Sequence, residues 1–216
     1  MEFASRVEYP AAASAMKHHD KIVPIILAAG RSRRLHFPRA LASFGGKTAL
    51  AIAVENCEGL ETPLVVLGCH ARRVRPAVPA AKARAILNRD WRKGQLSSLQ
   101  CALRRVPKES AFLIYPVDQP LLQKATIQKL VRGFRTRKSI EQIVMPRYKR
   151  TDGHPVIISS AVRQEFFQAE TAREVVYRRP DRIRTIDVDT ASVFEDFNSS
   201  ETYRLCLRKY LAREKS

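Results

Sequence analysis

Residues 22–41 read IVPIILAAGRSRRLHFPRAL, and this stretch decides the fold. Ile22 to Ala28 form a short apolar run that is typical of a buried strand in a parallel sheet. A loop rich in glycine, serine and arginine follows, from Ala29 to Arg39. Ligands of such sheets bind beyond the carboxyl ends of the strands, so the loop lies where a ligand is expected.

The composition of this loop favours an oxyanion. Ala28, Ala29 and Gly30 are small enough for a ligand to approach the backbone closely, and Gly30 can adopt a positive φ. Ser32 adds a hydroxyl. Phosphate oxygens prefer the forked guanidinium group, which occurs four times here, at Arg31, Arg33, Arg34 and Arg39. The alternative is a plain basic loop, but its place after a buried strand favours phosphate binding. Because the loop is neither a Walker A nor a GxGxxG loop, a P-loop NTPase or a dinucleotide dehydrogenase is disfavoured.

Strand and helix patterns alternate along the rest of the chain. Predicted strands cover residues 63–68, 85–87, 111–115, 143–145, 155–158 and 184–188. Predicted helices cover residues 49–57, 71–78, 96–106, 126–134, 160–167, 171–177 and 200–212. This alternation indicates βαβ units. It predicts one α/β domain over residues 21–216, with a mostly parallel sheet and helices on both faces, after a flexible leader at residues 1–20.

Composition narrows the class of protein. The 216 residues include 39 Lys and Arg and 21 Asp and Glu, which gives a net charge of +18, and 45% are hydrophobic. This apolar fraction excludes a disordered polycation for most of the chain, while the charge points to anionic partners. The four cysteines are widely spaced without a CxxC pair, so we expect a reducing, cytoplasmic setting and no zinc site of the usual spacing. No apolar run reaches the roughly 18 residues of a membrane span.

Two further strand ends carry oxygen ligands. PVDQPLL, residues 116–122, follows a predicted strand, and Asp118 within it can hold a Mg²⁺ that bridges phosphate oxygens. FEDFNSSETY, residues 194–203, follows the last predicted strand and offers Asn198 to the same metal. Local pattern alone favours helix capping there, by Ser199 or Ser200.

The segment ILNRDWRKGQLSSLQ, residues 86–100, can line a ligand. Asn88 can read hydrogen-bond donors and acceptors, and Gly94 bends the chain. Trp91, the single tryptophan, can stack on a base or serve as a lid or core residue. Ser97 and Ser98 stand where hydroxyls can cap the next helix.

A last segment, TDGHPVIIS, covers residues 151–159 and presents His154 rigidly between Gly153 and Pro155. The histidine can contact a substrate, and a structural histidine is an equal alternative. The chain has no Ser–His–Asp order and no HExxH motif to suggest another chemistry.

These segments, in this order, resemble the MobA-like nucleotidyltransferases, and most closely the molybdenum cofactor cytidylyltransferases. The family opens with LAAGxSxRMGxxKxL, which stands here as LAAGRSRRLHFPRAL. An NxxWxxGxxxSL-type segment follows as NRDWRKGQLSSL. DQP stands at residues 118–120 and GHPV at residues 153–156. The closing motif stands as DFNSSET, and the resemblance covers roughly residues 21–210.

The resemblance implies a Rossmann-like nucleotidyltransferase fold and an Mg²⁺-dependent reaction. A nucleoside monophosphate would pass from an NTP to a phosphorylated acceptor, and pyrophosphate would leave. CTP is the favoured donor, because Ala29 replaces a second glycine, and the molybdopterin cofactor is the expected acceptor. Docking to a molybdoenzyme is a further implied partnership. Nucleic-acid and membrane partners are not expected.

The resemblance also assigns roles to residues. Leu27, Ala28, Ala29 and Gly30 would contact the base and ribose, and Arg31, Ser32, Arg34 and Arg39 would hold the triphosphate. Asn88 and the stretch from Gly94 to Ser98 would line the base pocket. Asp118 would bind the metal with Asn198 completing its shell, and Gln119 and His154 would face the acceptor. Arg34, Arg39 and Asp118 are the expected catalytic residues.

Two alternatives stay open. The same NTP loop can serve transfer to a sugar phosphate or to another phosphorylated small molecule. Alternatively, a degenerate member would bind nucleotide or RNA without catalysis. The high positive charge favours that alternative, as do His36, Arg39 and Asn198, which stand where the family has Gly, Lys and often Asp.

Overall fold

The computed structural model describes residues 21–214, so the predicted leader at residues 1–20 lies outside the described residues. The strands are β1 (Ile22–Ala28), β2 (Ser43–Phe44), β3 (Lys47–Thr48), β4 (Leu64–Leu67), β5 (Arg84–Leu87), β6 (Ala111–Pro116), β7 (Ile143–Tyr148), β8 (Thr151–Asp152), β9 (Val156–Ile158) and β10 (Ile183–Asp187). The α-helices are α1 (Ala49–Asn56), α2 (Ala71–Val74), α3 (Gln95–Leu103), α4 (Lys124–Arg135), α5 (Ala172–Tyr177) and α6 (Ser200–Arg213).

The main sheet has the strand order β10-β7-β9-β6-β1-β4-β5, and β8 pairs with the end of β7. The pairs β6–β1, β1–β4, β4–β5 and β10–β7 are parallel. Strand β9 is antiparallel to both of its neighbours. The predicted mostly parallel sheet is therefore confirmed, with β9 as an inserted antiparallel strand. Strands β2 and β3 form a separate two-stranded sheet.

Both faces of the sheet are buried, which explains why its strands read as continuous apolar runs. On β6, Leu113 and Tyr115 point into one core with residues of α1 and α4. Phe112 and Ile114 point into the other core with residues of α3 and α5. The predicted helices on both faces are thus confirmed. A third, smaller core lies under α6.

Several helix ends differ from the sequence prediction. Helix α3 ends at Leu103 rather than at residue 106, since Pro107 disfavours helical backbone before it. The Arg163 guanidinium donates to the carbonyls of Leu103, Val106 and Pro107, and so satisfies the free end of this helix. Residues 160–167 form a 3-10 helix.

The predicted capping by Ser97 and Ser98 is wrong. Gly94 occupies the N-cap position of α3, where no side chain caps, and the Ser97 hydroxyl instead donates to the Gly94 carbonyl. The prediction for α6 is confirmed, because Ser199 caps this helix in a reciprocal box with Thr202. None of the helices within residues 21–214 is long and apolar enough to cross a membrane.

Candidate functional site

A pocket of about 650 Å³ opens where β1 and β6 end side by side. Strand β9 runs antiparallel to β6, so His154, two residues before β9 begins, is brought to the same edge of the sheet. The pocket is lined by Leu27, Ala28, Ala29, Gly30, Arg31, Ser32, Arg33, Pro38, Arg39, Ala40, Trp91, Arg92, Gly94, Gln95, Ser98, Pro116, Val117, Asp118, Gln119, His154 and Asp196. Most of the predicted site residues are therefore together, in a cavity of ordinary ligand size.

The loop after β1 is shaped by Ser32 rather than by Gly30. Ser32 has a φ of 52°, whereas Gly30 is not among the glycines with positive φ, so that expectation is wrong. The buried Ser32 hydroxyl accepts the backbone N–H of Arg39 at 3.1 Å. Gly30 is needed for space instead, because a Cβ there would lie 3.0 Å from Nη2 of Arg39. His36 does not adopt a positive φ, so replacing the family's glycine strains nothing.

The four loop arginines do not all reach the pocket. Arg31 and Arg33 line it and are otherwise exposed. Arg34 is exposed and lies outside the lining. Arg39 is half-buried in the pocket, where it forms an ion pair with Asp118. Cationic side chains thus occupy one side of the cavity.

Asp118 lies two residues beyond the end of β6 and lines the same pocket. Its backbone carbonyl accepts the N–H of Phe197 at 3.1 Å, which ties it to the segment before α6. Its carboxylate accepts from the Arg39 guanidinium. Burial raises the pKa of Asp118 above its ordinary value, against the opposing charge of Arg39, and the carboxylate of Asp196 raises this pKa further. The carboxylate is desolvated, which makes it a strong electrostatic partner for a cation.

The sequence prediction missed Asp196 and favoured Asn198. Asp196 lines the pocket, whereas Asn198 lies outside the lining and donates from Nδ2 to Oδ1 of Asp196 at 3.2 Å. The sequence pointed to Asp196 as well, since this residue begins the DFNSSET motif two residues before Asn198. Asn198 instead stands beside the carboxylate that reaches the cavity.

Asp118 and Asp196 fit a divalent cation of the magnesium type. Mg²⁺ is usually held by one or two carboxylates together with substrate phosphates, rather than by a complete protein cage. The two carboxylates line one cavity together with the arginine-rich loop after β1, which leaves room for such substrate ligands. Within residues 21–214 no cluster of three or more His, Cys, Asp or Glu side chains forms a full metal cage.

Leu27, Ala29 and Trp91 contribute apolar walls to the pocket. Gly68 lets these walls meet, because a Cβ there would lie 2.6 Å from the Ala29 carbonyl oxygen and 2.7 Å from Cβ of Trp91. The Arg92 guanidinium lies 4.8 Å from the Trp91 ring centroid.

Asn88 stands behind this wall rather than in it. Its Nδ2 donates to the hydroxyls of Ser97 and Ser98, both at 3.0 Å, and its Oδ1 accepts the N–H of Asp90 at 2.9 Å. Because its polar atoms are already used, Asn88 holds the start of α3 in place. Gln95 lines the pocket without a side-chain hydrogen bond to any described residue, and the sequence prediction did not single it out.

Gln119 and His154 face the pocket from the side of β9. Nε2 of Gln119 and the backbone N–H of His154 both donate to the Val193 carbonyl, at 3.2 and 2.6 Å. Oε1 of Gln119 and Nδ1 of His154 are buried without a partner among residues 21–214. Burial lowers the pKa of His154, against a smaller opposing effect of Asp196, so the imidazole is neutral near pH 7.

Comparisons with known proteins agree with this geometry. A family model described as a MobA-like NTP transferase domain matches residues 24–183. The nicotine blue oxidoreductase of Paenarthrobacter nicotinovorans is 28% identical over 196 residues, which are 85% of this chain and 96% of that protein. A probable molybdenum cofactor guanylyltransferase of Geobacillus sp. (strain WCH70) is 25% identical over 115 residues, 52% of this chain and 58% of that protein.

A solved structure resembles the whole described region. The crystal structure of Rv0371c from Mycobacterium tuberculosis H37Rv has a TM-score of 0.76 at 27% identity, covering 88% of this chain and 98% of its own. Its complex with manganese has a TM-score of 0.72 at 26% identity, covering 87% and 98%.

Proposed function

The chain belongs to the MobA-like NTP transferase family, and from that premise we propose that it moves a nucleoside monophosphate from an NTP onto a phosphorylated acceptor. Pyrophosphate is the second product. CTP is the proposed donor and the molybdopterin cofactor the proposed acceptor, as the family motifs imply. One observation carries the proposal: the Arg31–Arg33 loop and the carboxylates of Asp118 and Asp196 line one pocket.

The proposed step joins two anions. An oxygen of the acceptor phosphate attacks the α-phosphorus, and the bond from that phosphorus to the oxygen bridging to the β-phosphorus breaks. The acceptor reacts as its anion, so no proton must be removed by a base. The guanidinium groups of Arg31, Arg33 and Arg39 offset the repulsion, and positioning supplies the rest. Arg34, exposed next to them, is proposed to reach the leaving pyrophosphate.

Asp118 and Asp196 would hold a divalent cation between them, with Asn198 fixing Asp196 through its amide. Mg²⁺ is the proposed ion, and Mn²⁺ is the ion named for the solved complex of Rv0371c. When bound, such an ion polarises the phosphate oxygens as a Lewis acid. The protein contributes the desolvated carboxylate of Asp118 and the exposed carboxylate of Asp196.

The apolar walls formed by Leu27, Ala29 and Trp91 are proposed to take the base. Leu27 to Gly30 would contact base and ribose, and Gly94 and Ser98 line the same pocket. Gln95 is the side chain there that is free to read a base edge, since its amide offers one acceptor and two donors. We therefore assign base selection to Gln95 and leave Asn88 as its support.

The acceptor is proposed to bind on the side of β9. The partnerless Oε1 of Gln119 and Nδ1 of His154 support a polar ligand there, because buried polar atoms normally find a partner. Docking to a molybdoenzyme in the cytoplasm would place the nucleotidylated cofactor next to the enzyme that uses it. Exposed arginines on α2, Arg72 and Arg73, add positive charge for such an encounter.

A second candidate function comes from one relative. The nicotine blue oxidoreductase matches most of the chain, so an oxidoreductase that binds a nucleotide cofactor in this pocket is the competing proposal. The absence of a GxGxxG loop from the sequence weighs against a dinucleotide cofactor. Transfer to a sugar phosphate, and nucleotide or RNA binding without catalysis, would use the same pocket.

Calorimetry with CTP, GTP, ATP and UTP, each with and without Mg²⁺, tests the proposal. We expect preference for one NTP, dependence on Mg²⁺, and loss of that dependence in Asp118→Asn. Glu61→Gln is the matched control, because Glu61 is exposed at the start of β4, at the opposite edge of the sheet. Equal, metal-independent binding of all four NTPs would overturn the transferase proposal. Binding of NADH or NADPH in preference to any NTP would support the oxidoreductase.

A further inference from the structure

Arg39 already occupies the carboxylate that the proposed function assigns to the metal. The two residues are 79 positions apart in sequence, yet the Arg39 guanidinium donates directly to Oδ2 of Asp118. The side chains of Arg39 and Asp118 are 27% and 15% exposed, so water screens the pair only partly. A metal cation and the Arg39 guanidinium therefore compete for one carboxylate.

The chain holds Arg39 in this position from two sides. Its backbone N–H is bound by the Ser32 hydroxyl, and it begins a 3-10 helix that ends at Leu41. Its Nη2 lies over Gly30, where a Cβ would be only 3.0 Å away. The guanidinium is thus seated over a residue without a side chain, and not simply extended into solvent.

The charges that line the pocket determine how the Arg39–Asp118 ion pair affects metal binding. Four arginines, Arg31, Arg33, Arg39 and Arg92, line the pocket together with the two carboxylates of Asp118 and Asp196. This balance is net positive, so a free divalent cation is not attracted. A triphosphate brings about four negative charges and reverses the balance.

We propose that Arg39 is an internal counter-ion that holds the place of the metal at Asp118 and moves to the phosphates when a metal–nucleotide enters. Free metal then binds weakly, and metal and nucleotide bind as a coupled pair. Linkage requires the coupling to be reciprocal, so each ligand strengthens the other by the same factor. This inference rests on the proposed function, because it takes Asp118 as the metal ligand.

The test uses Mn²⁺ alone as the probe, with the full chain and no nucleotide, and counts free Mn²⁺ by electron paramagnetic resonance. We expect Arg39→Gln to bind Mn²⁺ about tenfold more tightly than wild type, since the competing charge is gone. Arg39→Lys should stay near wild type, because it keeps the charge. Arg204→Gln is the matched control, since Arg204 is exposed on α6 and outside the pocket.

A second measurement uses Mn²⁺ together with CTP. Arg39→Gln should bind this complex about tenfold more weakly than wild type, because the phosphates lose a guanidinium. A merely structural role of Arg39 would not change the affinities for free Mn²⁺ and for Mn²⁺–CTP in opposite directions. Circular dichroism checks that each variant is folded.

The outcomes separate this inference from the proposed function. If Arg39→Gln binds free Mn²⁺ no more tightly than wild type, or if neither binds it, the counter-ion role is overturned. If Arg39→Gln gains affinity and Arg39→Gln/Asp118→Asn loses it again, the counter-ion role is supported. If Asp118→Asn alone leaves Mn²⁺–CTP binding unchanged, Asp118 is not the metal ligand, and the proposed function fails together with the inference.

Discussion

The Gly68→Ala variant tests whether close packing builds the base end of the pocket. Gly68 follows β4, and its φ lies outside the positive range, so alanine is allowed by the backbone and only space opposes it. The added Cβ would lie 2.6 Å from the Ala29 carbonyl oxygen, 2.7 Å from Cβ of Trp91 and 2.8 Å from Cβ of Ala29. These atoms belong to the backbone or lie next to it, so they cannot yield by a side-chain rotation.

Overpacking of this kind costs about 1–3 kcal/mol of unfolding free energy. For a chain of this size that corresponds to a fall in Tm of roughly 2–12 °C. Because Ala29 and Trp91 are both pocket walls, the affinity for the preferred NTP should also fall, by about tenfold. Calorimetric unfolding and NTP titration measure the two effects on the same protein.

Gly133→Ala is the matched control. Its Cβ would meet Cδ1 of Ile186 at 2.6 Å, which is a similar overlap with the end of a flexible side chain. Gly133 lies within α4, where alanine also gains up to about 1 kcal/mol of helix propensity. We expect little change in Tm and none in NTP affinity. If Gly68→Ala matches wild type in both measurements, the packing argument is refuted.

Three further predictions concern other parts of the molecule. Burial lowers the pKa of His154, so the unfolded chain takes up a proton near pH 6.5 while the folded chain does not. The free energy of unfolding should therefore fall as the pH drops below that value. An imidazole NMR titration that gives His154 a normal pKa would contradict this. Burial raises the pKa of Cys57 to about 12 and of Cys206 to about 11, whereas Cys69 and Cys101 are half-buried. A thiol reagent should therefore label Cys69 and Cys101 first in the native protein. Equal labelling of all four cysteines would argue against the described burial. Ser199→Ala should cost about 1 kcal/mol of stability through loss of the α6 cap, and an unchanged Tm would show that the capping box is dispensable.

The sheet could be predicted because its strands are buried on both faces. Continuous apolar runs such as AFLIY at residues 111–115 have few other interpretations, and their spacing leaves room for helices. The antiparallel direction of β9 could not be predicted, since three apolar residues carry no sign of their orientation. The cap of α3 was mispredicted because Ser97 and Ser98 are committed to Asn88, a partner that only the tertiary structure brings near.

The site was predictable where a residue follows a strand directly. Leu27 to Ser32 and Asp118 stand at strand ends, and the parallel arrangement carries them to one edge. Asp196 was missed because it lies in an irregular segment, held by the contact between Phe197 and the Asp118 carbonyl. Asn88 looked like a ligand-binding residue because sequence shows its amide and not the three partners that consume it.

Transfer of label from CTP carrying ³²P at the α-position tests the central claim most directly. With the molybdopterin cofactor and Mg²⁺, the account predicts that the label appears in the acceptor with one pyrophosphate released per transfer. It also predicts that Asp118→Asn loses this transfer while remaining folded. Unlabelled acceptor in the presence of bound CTP, or label transfer that is indifferent to Asp118, would contradict it.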